Sequence, residues 1–258
     1  MADDTFRVIL NVFQDPPISL FLIIFSLFLC WGSFLNVAAF RLLYKKPFFA
    51  KRSYCPGCKS TIAWFDLIPV ISWLLLKGHC RWCSASISWL YPLIELLTGI
   101  LFTLLMLSTP PLYWVSYGLF FSALIITIRT DLESMMILRF CSLGLIPLGL
   151  VFSYLGYLPI TVTHSTLGAF FGYSILWLVR TLFWYLHKQE GLGEGDLELL
   201  AGIGAFTGLS GVWYTLLYGS IAGSILGIIL SILLKKKIEK LPFGPFLALG
   251  ALIVVLLP

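Results

Sequence analysis

Apolar residues in this chain fall in long unbroken runs, not at the alternating or three-and-four spacing of half-buried elements. The runs cover about 18–43, 89–107, 112–129, 136–156, 160–186, 196–208, 212–234 and 242–257. Most hold the ~20 residues that a helix needs to cross a bilayer's hydrocarbon. In lipid every backbone polar group must be satisfied within the protein, which restricts such runs to helices. The pattern predicts an all-α polytopic membrane protein with about eight transmembrane helices. Thr109-Pro-Pro111 ends the second run, and Gly208-Leu-Ser-Gly211 separates the sixth from the seventh.

The only long polar stretch between runs is 44–88. It divides the chain into the N-terminus and first helix (1–43), a cytoplasmic loop (44–88) and a helical bundle (89–258). No internal repeat is visible. The composition agrees with the pattern: 59% of the residues are hydrophobic and 11% charged, where a soluble domain is about a quarter charged.

Charge fixes the orientation, because cytoplasmic loops carry an excess of Lys and Arg. With eight spans and the N-terminus outside, 44–88, the turn at Asp131, 187–195 and 235–240 all fall inside. Of the 17 Lys and Arg, only Arg7 is then left outside. This one-sidedness accounts for the net charge of +5 without a nucleic-acid partner. Asp3 and Asp4 stand where a signal peptide would be basic, so no cleaved leader is expected.

Three sets of residues carry candidate chemistry. Cys55-Pro-Gly-Cys58 and Cys80-Arg-Trp-Cys83 lie in the polar loop, and the intervening residues 59–79 number 21. Two such pairs complete a tetrahedral four-sulfur zinc site, a structural metal for a loop too small to build its own core. His79 is adjacent and reads as a solvated histidine before a competing ligand.

The second set is Asp131, in Arg129-Thr-Asp131, and Asp196, in Gly193-Glu-Gly-Asp196, 65 positions later. Each sits at the edge of an apolar run, where an ionisable group is costly. Two roles are open to each: an N-cap of the helix that follows, or half of an acid/base dyad assembled by helix packing. Gly193, Glu194 and Gly195 are candidate substrate-binding positions, since a glycine-rich loop can receive an extended strand. The neighbouring acids Glu133, Glu190, Glu194 and Glu198 either favour a basic substrate or are simply solvated. The third set is Glu95, a carboxylate inside the second run. It either hydrogen-bonds within the bundle or lines a polar cavity, and it is counted with the substrate-binding candidates. Cys30 and Cys141 read as packed core thiols.

Further strings surround these sets: Gly32-Ser-Phe-Leu-Asn-Val37 with Arg41, Arg52-Ser-Tyr-Cys-Pro-Gly-Cys58, Ile68-Pro-Val-Ile-Ser-Trp73 and Tyr91-Pro-Leu-Ile-Glu-Leu-Leu-Thr-Gly99. In this order, with Gly193-Glu-Gly-Asp196, they resemble the type IV prepilin leader peptidase and N-methyltransferase family, membrane aspartic proteases of the Gly-x-Gly-Asp kind. The resemblance implies that Asp131 and Asp196 are catalytic. It implies cleavage of the basic leader from prepilins or the pseudopilins of type II secretion, after a glycine at the cytoplasmic face of the inner membrane. It also implies methylation of the new N-terminus from S-adenosylmethionine. The chain departs from the family pattern in three places. Ile137-Leu-Arg139 stands where Leu-Pro-Asp or Ile-Pro-Asn is common, Glu198 where lysine is usual, and Leu42-Leu43 where Leu-Pro often follows the arginine. These departures leave room for a rival, a catalytically degenerate zinc-loop scaffold of a pilus or secretion assembly.

Overall fold

The computed structural model describes residues 18–47, 53–189, 191–234 and 241–257. Expectations about Arg7, Lys51, Arg52, Glu190 and the basic run 235–240 lie outside the described residues. The helices, in chain order, are α1 (Ile18–Leu43), α2 (Ile71–Leu75), α3 (Leu90–Ser108), α4 (Trp114–Ser134), α5 (Arg139–Ser142), α6 (Leu145–Tyr154), α7 (Val162–His187), α8 (Glu194–Leu234) and α9 (Gly244–Leu256). Five helical stretches are long and apolar enough to cross a membrane: 18–43, 90–108, 111–134, 162–187 and 194–233. The stretches 139–154 and 244–256 are apolar but shorter. Among the described residues no strand forms, only two isolated bridges, Tyr54 with Thr61 and His79 with Ser86.

The last of the five long stretches is not one rod. Gly208 takes φ 70° and ψ −172°, a conformation that a side chain would resist. In a straight helix residues 204 and 212 would be about 12 Å apart along the axis. Here a methyl group placed on Gly204 would stand 2.8 Å from Val212 Cγ2. The chain therefore doubles back at Gly208, and 194–207 and 209–234 are separate limbs of a hairpin. The glycine signal at 208–211 foreshadows this reversal.

The chain forms two compact units, 1–111 and 112–258. In the first, α1 packs on α3. Gly32 is pressed against Glu95 Cα and Thr98. In the second unit α4 is central. Its Phe120, Phe121, Leu124 and Ile125 have no exposed surface, and Phe120 stacks on Phe206 of the 194–207 limb. That limb runs against α7, where Gly168 touches the backbone of Gly204 and Gly208. The 209–234 limb runs against α9, where Gly250 meets the backbone of Thr215 and Gly219. Small residues let helices approach this closely, which is how helices associate in lipid. Hydroxyls add bonds between elements: Ser165 Oγ of α7 donates to Ala205 O at 2.6 Å, and Ser116 Oγ of α4 to Tyr157 O, in the connection after α6, at 2.6 Å.

Candidate active site and metal centre

Asp131 lies in the last turn of α4 and is almost wholly buried. The helix ends because Met135 turns left-handed (φ 53°) and donates its N–H to Asp131 O. Asp131 is therefore at a helix C-terminus, and the expected N-cap role is not the one it has. Its carboxylate accepts the backbone N–H of Gly244, the first residue of α9. A methyl group on Gly244 would stand 2.7 Å from Asp131 Oδ2 and 3.0 Å from Ile137 Cδ1, so only glycine admits this approach.

Asp196 is the third residue of α8. It is not the N-cap either. Its carboxylate reaches back to the N–H of Gly193, just before the helix, as the third residue of a capping box does. Its Oδ1 is buried and meets no hydrogen-bond partner among the described residues. Asp131 stands close enough for its charge to bear on Asp196. Ile137 wedges in beside both: a methyl group on Gly195 would lie 2.8 Å from Ile137 Cβ. The end of α4, the start of the 194–207 limb and the start of α9 thus converge on two carboxylates.

Sequence reasoning missed Gly244. The signal was present in Pro242-Phe-Gly-Pro245, a glycine between prolines that opens the last apolar run.

The acids around the site are largely engaged. Glu133 pairs with the buried Arg129 one turn earlier on α4. Glu194, though exposed, lies 3.4 Å from Arg139 Nη2 and 3.6 Å from Arg180 Nη1. Glu198 is buried, with Oε1 3.4 Å from Arg139 Nε and Oε2 accepting from Ser142 Oγ at 3.2 Å. Arg139 and Glu198, two of the departures from the family pattern, therefore meet each other.

Glu95 belongs to the first unit and has a definite partner. Its Oε2 accepts the N–H of Val70 at 2.7 Å, and the Ser33 hydroxyl bonds the same carboxylate. Val70 has φ 61° and ψ −52°, and Ile71 N–H donates to Pro69 O at 2.6 Å. This is a γ-turn of the strained hand, rare for a β-branched residue. Strain of this kind costs about 1–3 kcal/mol and persists only where the surroundings enforce it. Glu95 enforces it here.

The four loop cysteines converge: the Sγ atoms of Cys55, Cys58, Cys80 and Cys83 all lie within 4.8 Å of one another, with Cys55 and Cys83 3.7 Å apart. A tetrahedron with metal–sulfur bonds of about 2.3 Å has edges of about 3.8 Å. The two halves repeat one pattern. Lys59 N–H donates to Cys55 O at 2.8 Å and Cys55 N–H to Ser60 O at 3.0 Å. Ser84 N–H donates to Cys80 O at 3.0 Å and Cys80 N–H to Ala85 O at 2.9 Å. Lys59 and Ser84 both have positive φ. An internal repeat is thus present, and the sequence carries it as well: Thr61, Ile62 and Trp64 follow the first cysteine pair at the spacing at which Ser86, Ile87 and Trp89 follow the second.

The thiols compete for protons. Hydrogen bonds from the Ser60 side chain and backbone bring Cys58 down to about 6. Cys83 receives a lowering hydrogen bond from Ala85, but its thiol neighbours and desolvation push it up to about 11. A divalent cation would relieve this crowding, so the donor set fits a metal. His79 is directed elsewhere, its Nδ1 2.7 Å from Lys77 O.

The comparisons with known proteins follow the same division of the chain. Residues 26–109 match the bacterial peptidase A24 N-terminal domain, and 118–228 match the type IV leader peptidase family. The prepilin leader peptidase/N-methyltransferase of Aeromonas salmonicida (strain A449) is 34% identical over 277 residues, covering 96% of this chain and 94% of the relative. The type 4 prepilin-like proteins leader peptide-processing enzyme of Escherichia coli O78:H11 is 31% identical over 269 residues, covering 97% and 98%. The prepilin leader peptidase/N-methyltransferase of Klebsiella pneumoniae is 36% identical over 206 residues, covering 75% and 88%. No solved structure matches the chain. With similarity that runs nearly from end to end, and with the two aspartates brought together in the matched region, this multi-pass membrane chain belongs to the type IV leader peptidase family.

Proposed function

We propose that the chain is an aspartic endopeptidase that removes the basic leader of prepilins or pseudopilins after a glycine, at the cytoplasmic face of the inner membrane. The observation that carries this reading is the meeting of Asp131 and Asp196 at three converging helix ends. Each holds one backbone N–H, and Asp196 Oδ1 meets no partner among the described residues.

Two carboxylates this close cannot both ionise easily, so the pair shares a proton and titrates as a unit. The ionised member takes a proton from water as it attacks the scissile carbonyl. The protonated member gives its proton to the leaving amine, and the dyad is restored. Gly193, where an added methyl would meet only Asp196 Oδ2 at 3.4 Å, leaves room for an extended substrate strand, whereas Gly195 is covered by Ile137; Glu194 sits between them as a rim charge held by two arginines.

The encounter of Arg139 with Glu198 supports the catalytic reading over the scaffold. The chain departs from the family pattern at both positions together, and the two new charges satisfy each other beside the dyad. Like charges are expected from Arg139→Glu or Glu198→Arg alone. Arg139 is the exposed side of the pair, where such contacts contribute about 1 kcal/mol or less, so Arg139→Glu should lower kcat/KM roughly three- to fivefold; Glu198→Arg, which places a charge at a buried position, should lower it more. The double exchange should recover most of that loss, and additive losses in the double-mutant cycle would refute the pairing.

The new N-terminus is then methylated, with S-adenosylmethionine consumed as methyl donor. Cys55, Cys58, Cys80 and Cys83 hold one zinc ion, which supplies no chemistry and fixes the loop. The test is one preparation: purified protein, a prepilin with its leader, and S-adenosylmethionine. The expected products are the free leader and a mature pilin heavier by one methyl group, from protein carrying one zinc per chain. Cys55→Ser should lower the zinc content. Uncleaved prepilin would overturn the peptidase reading, and metal-free active protein the zinc reading.

With the hairpin at Gly208, the helical segments thread the bilayer eight times and put both carboxylates on the cytoplasmic side. A reporter fused after Pro258 should read as exported; a cytoplasmic signal would overturn the threading.

A further inference from the structure

We infer that residues 64–75 form a membrane-surface element, lying in the interfacial zone of the same bilayer that the helices cross and holding the four-cysteine loop against it. The inference rests on the membrane character of the chain and is independent of the peptidase reading.

The apolar side chains of this segment point outward. On α2, Ile71, Leu74 and Leu75 share one face at i, i+3 and i+4 and are 55%, 60% and 77% exposed. Trp64 is 79% exposed, and Ile68 is also exposed. Trp89, 62% exposed, closes the loop immediately before α3, where interfacial tryptophans gather. So many exposed large apolar side chains on one short stretch of a polar loop mark a partner surface.

The partner is the bilayer, because the segment is pinned at membrane depth. Both ends of the loop are tethered to helices long and apolar enough to cross the membrane, at Leu43 and Leu90. Its middle is tied lower still, through the Val70 N–H on Glu95. Glu95 is five residues into α3, about 8 Å from the helix start at 1.5 Å per residue. An interfacial helix sinks its apolar face about 5–10 Å into the headgroup and acyl boundary. Trp73 Nε1 donates to Ile87 O at 3.1 Å and ties α2 to the segment that leads into α3.

The charge agrees with this placement. The stretch 44–89 carries seven Lys and Arg against a single acid, Asp66. Arg81 grips both oxygens of that acid at 2.9 and 2.6 Å, so no free acidic charge faces the headgroups. Lys59 and Lys77 are exposed. Anionic headgroups attract such residues.

The experiment uses the full chain labelled with 5-fluorotryptophan, in nanodiscs of phosphatidylethanolamine and phosphatidylglycerol. The Trp64 resonance is assigned by its loss in Trp64→Phe. Doxyl-labelled lipid should broaden this resonance away, and a soluble gadolinium chelate should leave it. Leu74→Glu with Leu75→Glu should reverse the two effects while the zinc content stays unchanged. Broadening of Trp64 by the chelate in the unmodified chain would overturn the inference, placing the segment in water. Protection from both probes would overturn it too, since the face would then be covered by protein, a second copy included.

Discussion

Asp131→Asn and Asp196→Asn are each expected to abolish leader cleavage, by about 10⁴-fold or more, while the protein still folds and inserts. Asparagine keeps the shape of the carboxylate. Its side-chain oxygen can still accept the N–H of Gly244 at position 131 or of Gly193 at position 196. What it loses is the ability to take up and return a proton. Structure and chemistry are thus separated by one conservative change. Members of one catalytic unit are non-additive, so the double variant should be hardly worse than either single one. Glu133→Gln is the control: its partner is Arg129, and it should cleave near normally. Conversion of prepilin by purified variants, with circular dichroism for folding, is the measurement. Substantial turnover by either folded Asp→Asn variant would remove the dyad.

Gly244→Ala should also lower activity, by a smaller factor and a different route. The added methyl would stand 2.7 Å from Asp131 Oδ2 and 3.0 Å from Ile137. The backbone N–H remains, but the carboxylate must retreat from it by several tenths of an ångström. Displacements approaching 1 Å at a catalytic group cost about 10²-fold, and a fall in kcat of about 10- to 100-fold is expected with KM little changed. Gly227→Ala is the matched control, because nothing lies within 4 Å of the position its methyl would take. Equal activity of the two variants would show that the α9 terminus does not position Asp131.

The helices were legible in the sequence because lipid imposes length and apolarity on any segment that crosses it. The runs at 18–43, 89–107 and 160–186 lie within a residue or two of α1, α3 and α7. The reversal at 208 was legible because only glycine accepts that backbone. Asp131 and Asp196 drew attention as costly charges at apolar edges, and the structure brings them together. Their local roles were not legible: an aspartate before an apolar run reads as an N-cap, whereas one closes a helix and the other reaches back from its third residue. Gly244 was missed because its function exists only across a long-range contact that no local pattern encodes. The Arg139–Glu198 pair was hidden for the same reason, each residue looking like an isolated departure. Glu95 found its partner in a strained turn at Val70, and no propensity predicts a valine there.

The reversal at Gly208 also sets a thickness. The limb 194–207 holds 14 residues, about 21 Å of helix, and α9 holds 13. The hydrocarbon of a bilayer is about 30 Å deep. The two helices whose N-termini reach the aspartates therefore fall short of the slab by roughly a third, while α7 and the 209–234 limb, with 26 residues each, do not. A hydrophobic mismatch of this size is made up by thinned lipid or by water. Under the proposed peptidase reading, a shortage of helix beside the carboxylates would be what admits water, the second reactant of hydrolysis.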